Sequence, residues 1–343
     1  MAIRILVPLD GSSLAAAALA HAIALAEPAD THLALLRVVE RTTAQHNVAP
    51  LDWHLQRSEA QAYLDQAGNL VAEYLSRTPE TVLLDGRAAD RIVDYARNEG
   101  FDFIVFTSHG RGGLSEWNMS SVASKIALGA TTSILMVHPS TSSVAQYAGG
   151  LQPVRYRRIL VPLDGSQRAE HVLPSAGMLA ERHGAELVLL HVVAKPEFVQ
   201  RMPLTEEENE LVSQVVQHNQ SRAIAYFDQL SGRLPVVPQA RVLVEEDAAG
   251  AIHRFVIENQ VDLVVLSAHG HTGRQQWPFG SLATSFLAYG TTSLLILQDM
   301  THEAAPLMKL GAGTQTWREE GLRGTLAAGA MGELRSSYDR AVN

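Results

Sequence analysis

The chain has 343 residues, 46 % of them hydrophobic, with 36 acidic groups against 27 basic ones; this composition excludes a disordered chain and supplies apolar material for more than one core. Residues 1–150 hold 10 basic and 15 acidic groups and residues 151–300 hold 12 and 16, so neither half has the basic excess that a nucleic-acid partner requires. Cysteine is absent, which removes disulfides, thiolate metal centres and cysteine nucleophiles.

In chain order, MAIRILVPLDGS has too few apolar residues before Pro8 and Asp10 for a signal peptide. Leu14–Ala26, interrupted by His21, is too short to cross a bilayer. A cytoplasmic protein with no membrane partner is expected. Ile3–Leu9 is a short apolar run closed by Asp-Gly-Ser and reads as a buried strand, and Leu14–Ala26 as an alanine-rich helix. His32–Val39 predicts a second strand and Trp53–Ser76 a long helix. Thr81–Leu84, Asp90–Arg97, Phe103–Thr107, Val122–Leu128 and Ser133–Val137 then alternate strand, helix, strand, helix, strand. Unbroken Val/Ile/Leu runs suit strands covered on both faces, and the alternation predicts a parallel, doubly wound sheet.

The pattern occurs twice. Ile3–Ser12 (IRILVPLDGS) recurs as Arg157–Ser166 (RRILVPLDGS) at a shift of 154 residues. Phe103–Gly110 (FIVFTSHG) recurs as Leu263–Gly270 (LVVLSAHG), and Gly129–Leu135 (GATTSIL) as Tyr289–Leu295 (YGTTSLL), both at a shift of 160. Matching segments in one order imply two copies of a five-stranded α/β domain. The expected division is residues 1–140, a Ser/Gly/Pro-rich linker at 141–156, a second domain at 157–298, and a tail at 299–343 that is a mobile extension or an appendage. The apolar runs Ser133–Val137 and Ser293–Leu297 should lie at sheet edges, and exposed apolar edges invite pairing. An intramolecular pseudo-dimer of the two halves is therefore expected, with homodimerisation of whole chains as a further step.

Ligands of open parallel sheets bind beyond the carboxyl ends of the strands, where strand order reverses. Asp10-Gly11-Ser12 and Asp164-Gly165-Ser166 follow the first strand of each copy. They can cap the next helix, or present a carboxylate to a base or ribose. After the fourth strand come Ser108-His109-Gly110-Arg111-Gly112-Gly113 and Ala268-His269-Gly270-His271-Thr272-Gly273, and ten residues beyond each first glycine lie Ser120-Ser121 and Gly280-Ser281. Glycine admits close backbone approach, and a helix start offers free N–H groups and a positive dipole end. Repeated after a strand and before a helix, this is a phosphate cradle.

On these motifs the chain resembles the tandem, two-domain members of the universal stress protein family over residues 1–298. The resemblance implies a Rossmann-like, adenine nucleotide alpha hydrolase-like fold and ATP as ligand, with or without Mg²⁺. The family's ATP-binding members show Gly-x2-Gly-x9-Gly-(Ser/Thr). Here the second copy has Ser267-x2-Gly270-x9-Gly280-Ser281 and the first has Thr107-x2-Gly110-x9-Ser120-Ser121. The resemblance thus implies an ATP site at Pro162, Asp164, Val192, Ser267, Gly270, Gly280, Ser281 and Leu282. Its weaker counterpart is Pro8, Asp10, Val38, Thr107, Gly110, Ser120, Ser121 and Val122. A Cβ on Ser120 is expected to obstruct phosphate, and Glu246, aligned with Gly86, to repel it or hold a bridging Mg²⁺.

Other chemistries fit less well. His269-x-His271 has no third metal ligand of suitable spacing. No G-x-S-x-G elbow occurs, no lysine follows either glycine loop as a P-loop requires, and Asp-Gly-Ser stands where adenylating relatives of this topology carry Ser-Gly-Gly. No nucleophile, base and oxyanion donors converge, so no catalytic residue is assigned and hydrolysis or autophosphorylation should be slow. The expected function is nucleotide-dependent stress response or signalling through an unidentified protein partner. The alternative is a dimeric adaptor of the same family that binds no nucleotide.

Overall fold

Short runs of buried Val, Ile and Leu leave the inner strands no polar face to turn to water, so both of their faces must be covered by helices. A computed structural model describes residues 3–26, 31–40, 50–75, 77–109, 119–138, 151–196, 205–270 and 279–298. Gly110, Arg111, His271 and the tail at 299–343 lie outside them. The first copy runs β1 (Ile3–Pro8), α1 (Ser13–Leu25), β2 (Thr31–Val39), α2 (Pro50–Ala72), β3 (Glu80–Asp85), α3 (Ala88–Asn98), β4 (Phe103–Thr107), α4 (Ser121–Gly129) and β5 (Ser133–Val137). The second runs β6 (Arg158–Pro162), α5 (Gln167–Glu170), α6 (Leu173–His183), β7 (Glu186–Ala194), α7 (Glu206–Ser231), β8 (Gln239–Glu245), α8 (Ala248–Glu258), β9 (Leu263–Ser267), α9 (Ser281–Tyr289) and β10 (Ser293–Leu297). Where the first copy has one helix after its first strand, the second has α5 and α6, because Pro174 removes an amide and cannot continue a helix begun at Gln167.

All ten strands form one sheet in the order β3-β2-β1-β4-β5-β10-β9-β6-β7-β8. Within each copy every pairing is parallel. The copies join through an antiparallel pairing, with Ile134 opposite Ile296, Leu135 opposite Leu295 and Met136 opposite Leu294. The edge pairing anticipated for Ser133–Val137 and Ser293–Leu297 is thus present. Two serines lock it reciprocally: Ser133 Oγ accepts from the Gln298 amide (3.2 Å) and Ser293 Oγ from the His138 amide (3.4 Å).

Alternate residues of each strand feed two cores, one on each face, and both run through both copies. Ile5, Leu35, Val105 and Leu135 share one with Ile159, Leu189, Val265 and Leu295. Leu6, Leu36, Ile104 and Ile134 share the other with Leu160, Leu190, Val264 and Ile296. Helix α1 is buried on nearly every side, which its small alanines permit at close range. Its one buried polar side chain, His21, is hydrogen-bonded through Nδ1 to the Tyr156 hydroxyl at 2.8 Å. The Tyr156 ring lies edge-on to His183 of α6, whose Nε2 donates to the Ala24 carbonyl (3.1 Å), while Arg182 donates to that of Leu25 (3.0 Å). The second copy therefore latches onto the carbonyl end of α1, where positive charge is favourable. The stretch Leu151–Tyr156, read from sequence as the end of a linker, is packed into this seam, and Val154 donates its amide to Ala20.

The third strands differ in register. Val39 pairs with Asp85, but Val193 pairs with Val244, a strand shift of 159 where the first copy's alignment uses 160. The shift between copies rises from 154 at the second strands to 159 at the third, and the last residue of the change to 160 is taken up between β8 and α8. Glu245, not Glu246, therefore follows the ladder position of Gly86, and its carboxylate is ion-paired with Arg254 at 3.2 Å. Glu246 is exposed. Its expected alignment with Gly86 is corrected accordingly.

Burial pushes His21 down to about 4 from 6.5. Between those values the unfolded chain binds the proton and the folded one does not, so stability is complete above pH 6.5 and falls as pH drops toward 4. The expected loss from His21 alone is about 3 kcal/mol. Urea unfolding of wild type and His21→Gln from pH 7.5 to 4.5 checks this; equal slopes in the two proteins contradict it.

Candidate functional site

Strands β1 and β4 pair through only two residue positions, Ile5 with Phe103 and Leu6 with Ile104, and β6 and β9 likewise through Ile159 with Leu263 and Leu160 with Val264. Beyond these pairs the strands diverge, and they are the point in each copy where strand order reverses. A crevice therefore opens at their carboxyl ends. In the first copy it is a cavity of about 800 Å³ lined by Pro8, Asp10, Val38, Thr107, Ser120, Ser121 and Val122 among others. Every residue assigned to the weaker site is there except Gly110, which lies outside the described residues.

The turns after β1 and β6 perform the capping role first. Ser12 Oγ accepts from the Ala15 amide (3.1 Å) and Ser166 Oγ from that of Ala169 (3.2 Å). Asp10 Oδ1 accepts from the Ser12 amide (2.8 Å), and Asp164 Oδ1 from the amide and hydroxyl of Ser166 (3.0 and 2.6 Å). One carboxylate oxygen in each copy is thereby held by the turn, which orients the other. Both turns need glycine, with φ of +85° at Gly11 and +80° at Gly165.

The loops after β4 and β9 are closed by matching hydrogen bonds. Ser108 and Ala268 donate to Val137 and Leu297 (2.9 and 2.8 Å), and Ser120 and Gly280 donate back to the carbonyls of Ser108 and Ala268 (both 2.7 Å). This return bond explains the ten-residue spacing. A Cβ on Gly280 would lie 3.6 Å from the Gly270 nitrogen, and one on Gly270 would collide with Asp164 Oδ2. Asp164, Gly270 and Gly280 are thus brought together at the start of α9.

The two helix starts differ. Ser120 and Gly280 have nearly the same backbone (φ −68°, ψ 158° and φ −69°, ψ 169°). Ser120 turns its hydroxyl onto the Ala123 amide at 3.2 Å, using one of the free N–H groups a phosphate would need. Gly280 makes no side-chain cap, so it leaves uncovered the amide of α9 that corresponds to the one Ser120 occupies in α4. The 3.6 Å contacts open to a Cβ at Gly280 are ordinary packing distances against loop backbone, so the protein itself has room for a side chain there, and the capping hydroxyl of Ser120 is a second difference between the copies. Thr107, in place of the motif's first glycine, donates its hydroxyl to the His109 carbonyl (2.6 Å). His109 is buried with Nδ1 against Ser108 Oγ (3.0 Å) and shapes the loop.

Residues that motif reading missed also line the first cavity: Arg37, Glu40, Gln56 and Glu59. Glu40 accepts from the Ala88 amide at 2.6 Å and so caps α3 from the end of β2, where the N-cap residue Arg87 makes no cap itself. In the second copy Asp247 caps α8 directly (3.1 Å), and position 194, the counterpart of Glu40, is alanine. The only sequence signal for Glu40 was this exchange between copies. Among the described residues no three His, Asp or Glu side chains are grouped to hold a metal ion. Nor is any helix there long and apolar enough to cross a membrane.

The fold defines a tandem α/β protein of the doubly wound kind, with a crevice at the carboxyl ends of its strands where strand order reverses. The family model of the universal stress protein family matches residues 1–138 and 155–298, and the chain belongs to that family, with two of its domains in one polypeptide. A universal stress protein of Mycolicibacterium smegmatis is 24 % identical over 304 residues, covering 86 % of this chain and 96 % of that one. One from Methanocaldococcus jannaschii is 28 % identical over 138 residues, 39 % of this chain and 81 % of that one. The fold matches the crystal structure of a putative universal stress protein from Pseudomonas aeruginosa, with a TM-score of 0.57 at 18 % identity over 90 % of this chain and 95 % of that one.

Gly270→Ala forces Asp164 off its contact and strains its bonds to Ser166, and is expected to cost about 1–3 kcal/mol. Gly280→Ala, with room for its Cβ, is expected to cost less than about 1 kcal/mol. Urea midpoints of the two variants check the order; the reverse order contradicts this geometry.

Proposed function

We propose that this protein binds adenine nucleotide, ATP foremost, in the crevices at the carboxyl edges of its two copies, and that the second copy holds it more tightly. The observation that carries the reading is the return hydrogen bond from Gly280 to Ala268, which sets an uncapped helix start beside Gly270 and Asp164. In this reading Pro162, Asp164 and Val192 receive the nucleoside. Ser267, Gly270, Gly280, Ser281 and Leu282 receive the phosphates, through backbone amides, the Ser281 hydroxyl and the dipole of α9. The first copy offers Pro8, Asp10, Val38, Thr107, Gly110, Ser120, Ser121 and Val122 in the same roles, weakened at the phosphate end by the Ser120 cap. Mg²⁺ enters with the phosphates of ATP.

The bound nucleotide then controls a surface for a protein partner in stress response or signalling, in the cytoplasm. In this reading the cradle binds without activating water, because it holds ground and transition states equally, which gives no gain in rate. Turnover is expected at least about a hundredfold below the 10 s⁻¹ typical of enzymes. A steady-state ATPase assay showing faster turnover, abolished by one substitution in the cradle, overturns that part.

Calorimetry with ATP tests the assignment. Gly280→Val is expected to weaken binding about tenfold or more, the equivalent of one lost charge-assisted contact. Ser120→Val with Ser121→Val should change it less. Loss in the first-copy variant alone reverses the order of the copies, and no binding by the wild type leaves the adaptor reading.

A further inference from the structure

Helix α7 is longer than its packing requires. It has 26 residues, about 39 Å of helix, yet its buried residues are Ala223, Phe227 and Leu230, and Glu206–Arg222 contribute none. In α2, its counterpart in the first copy, Ala60, Leu64, Ala67 and Val71 are buried from the middle onward. Because β7 and β8 are parallel, α7 runs back against them, and its unburied half stands toward their carboxyl ends. Intrinsic propensity does not hold that half together. Leu211–Arg222 reads LVSQVVQHNQSR, with three valines, two serines and an asparagine and no alanine, glutamate or lysine. Its start is fixed by a capping box, in which Thr205 Oγ1 accepts from the Glu208 amide (3.2 Å) and Glu208 Oε2 from the Thr205 amide (2.8 Å). A helical stretch of weak formers takes its stability from what packs on it.

One side of this stretch has an ordered pattern. Glu207, Leu211, Val215, His218 and Arg222 follow at steps of four, four, three and four, and so share one face. All five are exposed, Leu211 at 57 % and Val215 at 39 %. Val212 and Val216 lie half-buried beside them and widen the apolar centre. Acid stands at one end of the face and base at the other. Among the described residues neither Glu207 nor Arg222 has an ion-pair partner.

Such a face is complementary to itself turned end for end. About a two-fold axis near Val215, antiparallel copies of α7 bring Val215 onto the partner's Val215, with Glu207 and Arg222 meeting at both ends. A parallel pairing would set Glu207 against Glu207. The exposed leucines of α2, Leu51 and Leu55, are followed on their own face by Ser58 and Ala62, which offer Glu207 no cation.

We infer that this face of α7 docks a second copy of the chain, packed antiparallel through Leu211 and Val215 and held in register by Glu207 and Arg222. The contact is isologous, so it closes as a dimer and does not propagate. It leaves the β5–β10 seam untouched and stands independently of the nucleotide reading. Two single helix faces make a contact at the low end of specific interfaces, so the dimer should be reversible, with a dissociation constant on the order of 10 µM.

Sedimentation equilibrium of the full chain from about 1 to 200 µM tests this, with a monomer–dimer equilibrium expected. Val215→Asp should weaken dimerisation about tenfold or more. Glu207→Arg and Arg222→Glu should each weaken it about tenfold, while the two together restore wild-type affinity to within about twofold, because opposite charges meet again. The absence of cysteine gives a second readout. Val215→Cys should form an interchain disulfide on mild oxidation, and Ile224→Cys, exposed on the opposite side of the same helix, should not. A wild type that stays monomeric throughout, a double charge variant no tighter than the single ones, or crosslinking at Ile224→Cys as fast as at Val215→Cys overturns the inference.

Discussion

The antiparallel pairing of β5 with β10 is the contact on which the rest of the molecule depends. Each copy builds a parallel sheet that ends in a five-residue strand buried along its whole length, and such an edge left in water would recruit any other strand. Pairing the two edges removes both liabilities and fuses the two cores of one copy with those of the other. The outer edges are handled differently. β3 and β8 are half-exposed and carry charged residues such as Glu80 and Arg241, which blunt them against further pairing. The sheet therefore grows at its centre and stops at its rims.

Much of this was legible in the sequence because the signal was doubled. Strands such as Phe103–Thr107 and Ser133–Val137 were read with their observed limits, since continuous apolar runs bounded by turn residues have few other uses. What escaped depended on contacts that no local pattern encodes. The latch of Tyr156 and His183 onto α1 joins residues more than a hundred positions apart, and from sequence Tyr156 reads as the end of a linker. The one-residue register change before α8 was invisible because Glu245 and Glu246 are the same residue type. Seeing it required knowing which of the two pairs with Arg254.

The crevices show the same division. Their location followed from the fold rule and the repeated glycines, and the described members of the first set line one cavity. Their chemistry did not follow, because it is decided by where a short side chain points. Ser120 and Gly280 share a backbone, yet only Ser120 places a side-chain oxygen on an amide of the helix that follows. Glu40 caps a helix from a neighbouring strand, and Arg37 leaves the sheet to stack on α2. One frame, duplicated, carries two sets of polar groups, and the frame constrains only where they can converge.

The central claim is that the open start of α9 is where nucleotide phosphates dock. Hydrogen exchange of the full chain with and without ATP tests it most directly, since docked phosphates would occupy the free amides themselves. The account predicts slowed exchange at Ser281, Leu282 and Ala283, with a smaller change at Ser121, Val122 and Ala123. Unchanged exchange at all six amides, or slowing confined to the first set, contradicts it.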